Sequence, residues 1–246
     1  MINQFRQSLK KEREGFTLME TVIAIGVLAV LLTGFIAVFA PATQGIRRSI
    51  SIQQAGRLVS TLEKELTTLR TDPTTDMATG FDKAFTWVKE SNTPGSALFI
   101  YQYRGDPENP RDEDGTLTPV PDATGQPGVD YVVQSILRRL DDDLFSEDLA
   151  ALEGQIFYVK LTQLISDTTD GGLVEGTPGT IQSASTSGGG GAASSSSEYE
   201  EAAIAFVADF YNVPTKAEAY LTGDDFSELF EKNEKPVFSR NMAVRR

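Results

Sequence analysis

The sequence predicts an α+β protein: one long N-terminal helix, half apolar and half amphipathic, packed on a small antiparallel sheet head. Three observations predict it. Between Phe16 and Ala40 the only ionisable side chain is Glu20. Beyond Pro41 apolar residues recur at helical spacing. After Asp72-Pro73 the chain turns into short strand-like runs separated by stretches rich in Gly, Pro, Asp and Ser.

The first element is long enough to span a bilayer. A helix over Phe16–Ala40 would measure about 37 Å at 1.5 Å per residue, against about 30 Å for a hydrocarbon core. Val22–Ala40 is a continuous uncharged run. The flank before it carries Arg6, Lys10, Lys11 and Arg13, and the flank after it only Arg47 and Arg48. Basic residues favour the cytoplasmic side, so the amino terminus is expected there and the bulk of the chain outside. A cleavable secretory signal has a shorter apolar core followed by its small residue. Here Gly15 precedes the core.

Past Pro41, Ile46, Ile50, Leu58, Leu62, Leu66 and Leu69 predict a helix continuing to about Arg70, with Asp72-Pro73 ending it. A short helix is expected within Met77–Glu90. Strands are expected at Ser96–Tyr103, Gln155–Ile165, Ala203–Val213 and Lys235–Val244, a loop over Gly105–Gly128, and a helix over Ser135–Gly154. Ser183–Ser197 is a Gly/Ser-rich flexible insertion. The 49 residues after it are too few for a core of their own, so their strands are expected to complete one sheet.

The chemistry sought is mostly missing. The 246 residues hold no cysteine and no histidine, which removes disulfides, thiol chemistry and the commonest general base. The net charge of -13 disfavours nucleic acid. Gly188–Gly191 lacks the Lys-Ser/Thr ending of a phosphate loop. Asp112 and Asp114 faintly resemble a calcium loop, but Pro110 occupies the first ligand position and no glutamate follows at the required spacing. Asp141–Asp143 read as a solvated acidic face. No enzyme activity and no cofactor are expected, calcium at Asp112 and Asp114 being the weak exception.

"KEREGFTLMETVIAIGVLAVLL" (Lys10–Leu32) resembles the class III signal of type IV prepilins and type II secretion pseudopilins. The boundary glycine, the following Phe-Thr-Leu, the Glu at the fifth mature position and the long apolar run carry the match. The resemblance implies a pilin-like fold, with residues 1–15 a leader, 16–41 a transmembrane helix, 42–70 its amphipathic continuation and 71–246 the head. It implies prepilin-peptidase cleavage between Gly15 and Phe16, N-methylation of Phe16, a single-pass inner-membrane protein with a periplasmic head, and a filament assembled with other pilins on an inner-membrane platform. The chain is long for a major pilin, and its proline falls about six residues later than usual. Both departures point to a minor pilin or pseudopilin.

Two readings of Glu20 stand at this stage. The positive end of its own helix satisfies it, worth about 0.3–1 kcal/mol, or, as the resemblance implies, it pairs with the Phe16 amine of a neighbouring subunit. Ala29, Thr33 and Ala37 form a small-residue face, either generic membrane composition or a packing seam. A membrane-anchored periplasmic enzyme or binding protein and a filament-tip adhesin are the alternative functions.

Overall fold

The computed structural model describes residues 16–68, 79–111, 116–122, 124–167, 171–183, 191–232 and 235–246. The chain forms two compact units, the second starting at Arg48. The expected end of the first helix at Leu69–Asp72, the leader including Gly15, the calcium candidates Asp112 and Asp114, and residues 184–190 of the Gly/Ser insertion lie outside the described residues.

Helix α1 runs unbroken over Leu18–Thr67, 50 residues with Pro41 inside it. Pro41 has no N–H to offer the Ala37 carbonyl, and the next turn is supported by the Thr43 hydroxyl donating to the Ala40 carbonyl at 2.9 Å. Within the second unit α1 buries Ser51, Ala55, Leu58, Val59, Leu62, Glu65 and Leu66. Leu58, Leu62 and Leu66 therefore lie on the predicted stripe, but Ile46 and Ile50 are exposed. Geometry explains the correction. A strict spacing of four drifts about 40° per step on a helix of 3.6 residues per turn, so the four-spaced series leaves the core face, while alternating steps of three and four stay on it.

The head is a seven-stranded antiparallel sheet: β1 (Leu98–Arg111), β2 (Thr116–Pro119), β3 (Val132–Arg139), β4 (Leu152–Ser166), β5 (Leu173–Glu175), β6 (Ala203–Asn212) and β7 (Phe238–Arg245). Its spine is β3-β1-β4-β6-β7, with β2 on the β4 side of β1 and β5 on β4. One face carries Leu98, Ile100, Phe157, Val159, Leu161, Phe206 and Phe210, packed under α1 and α2 (Gly80–Glu90). The other carries Phe99, Tyr101, Ile136 and Tyr158 under α3 (Asp143–Leu149), α4 (Glu218–Leu221) and α5 (Asp224–Glu231). The fold is α+β, with a long N-terminal helix on an antiparallel sheet. The residues after the Gly/Ser run complete the same sheet, as β6 pairs with β4 and β7 with β6.

Two element predictions are corrected. Ser135–Arg139 is the end of strand β3, and only Asp143–Leu149 of the expected helix is helical. Ile136 and Leu137 enter opposite cores, so a strand buried on both faces loses the alternation that would have marked it. Asp142 then caps α3, accepting the Leu144 N–H at 2.9 Å. Gly105–Gly128 is not all loop, since β1 continues to Arg111 across a register shift between Asp106 and Pro110 and pairs with β2. The described flank of the Gly/Ser insertion is docked rather than loose: Ala193 is buried, and the Ser196 hydroxyl donates to Asp82 on α2.

Candidate functional site

The candidate site is the first half of α1. From Phe16 to Ile50 every residue is exposed within the chain, large apolar side chains included. The helix is long and apolar enough to cross a membrane. Its start is defined by Thr17, whose Oγ1 accepts the Glu20 N–H at 3.2 Å. Thr17 is thus the N-cap of α1, with Glu20 at the third helical position. Phe16 sits just outside this turn and is 85% exposed. Sequence reasoning placed Glu20 in the first turn but missed the role of Thr17, which the T-x-x-E spacing already announced.

Further along, the Thr33 hydroxyl donates to the Ala29 carbonyl at 2.8 Å. The Ala29-Thr33-Ala37 face is therefore small and internally satisfied. A Cβ added at Gly26 or Gly34 would meet nothing within 4 Å. These glycines relieve no crowding inside the chain, although each weakens the helix by about 1 kcal/mol relative to alanine.

The second half of α1 is fixed to the head by a buried cation. Lys83 of α2 donates from Nζ to Glu65 Oε1 at 2.8 Å, to the Glu65 carbonyl at 2.8 Å and to the Thr68 carbonyl at 3.0 Å. It closes the C-terminal end of α1, where helix carbonyls lack intrahelical donors. The same ammonium lies 4.5 Å from the centre of the Trp87 ring. Gly80, at the start of α2, permits this approach: a Cβ there would fall 2.7 Å from the Leu66 carbonyl oxygen.

The titratable side chains of the head are organised as structure. Asp148 is fully buried and takes Arg138 Nε, the Tyr101 hydroxyl at 2.9 Å, and Arg111 Nη1 at 3.0 Å in a pair not aligned as a hydrogen bond. Burial opposes the Arg138 charge, but Asp148 and Asp142 outweigh it and hold that guanidinium above its ordinary pKa. Burial, with Asp148 beside it, pushes the Tyr101 phenol well up. On β4 and β6, burial pushes Lys160 down and Asp209 up. Burial also raises Tyr211 to about 12. Lys160 Nζ is spent on the Phe230 carbonyl at 2.6 Å.

The chain matches no protein-family model, no curated protein and no solved structure. Its function rests on its own residues. The acidic run at Asp141–Asp143 is dispersed among separate tasks: Asp141 pairs with Arg139, Asp142 caps α3 and pairs with Arg138, and Asp143 faces solvent. Among the described residues no three acidic side chains are placed to hold a metal ion. The Lys83–Glu65 joint was illegible in advance, because a lysine inside a short amphipathic pattern reads as surface.

Proposed function

We propose that the chain is a structural subunit, a minor pilin or pseudopilin, of a type II secretion pseudopilus or type IV pilus. On this reading it is cut after Gly15 by a prepilin peptidase and N-methylated at Phe16. It is held in the inner membrane by α1 with its head in the periplasm, and drawn into a filament with other pilins by an inner-membrane platform. The observation that carries the reading is the continuous α1 itself. Its first half is apolar and exposed, and its second half is built into a head core. A helix so divided offers one half to lipid or to neighbouring helices and uses the other as a handle.

Glu20 then has two tasks. Its backbone N–H completes the Thr17 cap, which leaves its carboxylate to meet the Phe16 amine of an adjacent subunit. Intact mass of the protein extracted from membranes tests the processing: a chain beginning at methylated Phe16 is expected, and a retained leader in cells that process other prepilins refutes it. Glu20→Ala should insert normally and lose assembly, whereas Thr17→Val should weaken the helix start and leave assembly largely intact. Equal assembly of wild type and Glu20→Ala refutes the pairing role.

A further inference from the structure

The sheet has two bare edges, and they are complementary. Among the described residues β3 pairs only with β1, and β7 only with β6, so each leaves one side of its backbone unpaired. β7 has few of the features that normally blunt an edge strand. Its eight residues pair with β6 without a register shift, and it holds no proline. Phe238, Met242 and Val244 lie half-buried on the α1–α2 face.

Charge and spacing say what covers this edge. Residues 235–246 hold Lys235, Arg240, Arg245 and Arg246 and no acid, in a chain of net charge -13. Lys235 and Arg245 are exposed at the two ends of β7. β3 is bracketed by exposed Asp130 before it and Asp141–Asp143 after it, its own Arg138 and Arg139 being turned to Asp142, Asp148, Asp141 and Glu90 within the chain. The interval from Lys235 to Arg246 is 11 positions, and that from Asp130 to Asp141 is also 11. Four successive antiparallel pairings make β3 and β7 of one sheet point the same way.

We propose that β7 of one copy pairs in parallel with β3 of a second copy, with Lys235 beside Asp130 and Arg246 beside Asp141. Residue parity supports this register. Phe238 falls beside Val133 and Met242 beside Leu137, all on the face that carries α1, so the apolar layer continues from copy to copy. The antiparallel alternative that keeps α1 on one face reverses its direction in alternate copies, which anchoring in one membrane forbids. The contact joins two different edges, so it is open-ended and propagates. It rests on the filament reading above and names a head-to-head partner for it.

The chain has no cysteine, so introduced thiols are unique. The register sets Ser135 opposite Arg240, and adjacent strands lie about 4.8 Å apart. Full-length S135C/R240C, oxidised in native membranes, should give a ladder of dimers, trimers and higher species, with neither single variant forming the ladder. Adding K235E should weaken the ladder, and adding D130K together with K235E should restore it. Sedimentation of the reduced membranes reads assembly independently. Assemblies present without the S135C–R240C cross-link overturn edge pairing and leave the filament reading standing. A ladder from S135C/M242C in place of S135C/R240C overturns the parallel register. Dimers from S135C alone show a symmetric contact or a foreign partner at β3 and overturn the proposal, and absence of any assembly overturns both readings.

Discussion

Replacing Lys83 by methionine would test whether the head and the second half of α1 form one cooperative body. Methionine keeps most of the stem and its packing on Trp87 but removes the ammonium that serves Glu65 and Thr68. Both side chains of the pair are 7% exposed, so solvent screens the interaction little. Removing one member of a buried ion pair costs about 3–5 kcal/mol. A unit of this size loses about 2–4 °C per kcal/mol, so Lys83→Met should lower the melting temperature by about 6–20 °C. Trp87 is the single tryptophan of the chain, so its fluorescence reports on the joint directly. Thermal melts of the full chain in detergent are the assay. The double variant Glu65→Leu with Lys83→Met should recover much of the loss, since an apolar pair of similar volume avoids desolvating charge. A single variant melting within about 2 °C of wild type would refute the reasoning, because that is under 1 kcal/mol.

Two further outcomes follow from the head's interior. Asp148→Ala leaves Arg138 and Arg111 without their shared carboxylate and should lower stability by about 3–5 kcal/mol in urea melts of the full chain, with Asp143→Ala on the same helix nearly silent. Burial raises the Asp209 carboxyl, with the Ser239 hydroxyl and Lys160 working against it. The folded protein therefore holds this proton above the ordinary aspartate value of about 3.9, and the associated stability is lost as pH rises through the folded pKa. Asp209→Asn should be more stable than wild type at pH 7 and lose that advantage below about pH 4, as urea midpoints at the two values would read; equal midpoints at pH 7 contradict it.

Much of the architecture was legible because the strongest signals are the crudest. An unbroken apolar run and the strand-like runs of β4 and β6 each carry a signal that one pattern explains. The misreadings have two causes, a strand buried on both faces and a helical spacing that drifts. Ile136 and Leu137 look like a helix face because both sides of β3 are buried. Ile46 and Ile50 continue a spacing of four that the helix itself does not keep. Of the candidate site, Glu20 stood out as the lone acid, yet its cap on Thr17 was overshadowed by the processing signal sharing the same residues. The hydrogen-bond partners of Lys83 lie 15 and 18 positions away and those of Asp148 10 or more, and they leave no local trace.

The place of β6 has a consequence for biogenesis. It is the interior strand that covers the flank of β4, yet 37 positions separate the end of β4 from its start. At 5–20 residues per second that interval takes about 2–7 s to synthesise. For that time β4 offers a long, apolar, hydrogen-bond-hungry flank to its surroundings while α1 has already left the ribosome. A holdase that shields such a flank during export would govern how much of this protein survives to be used.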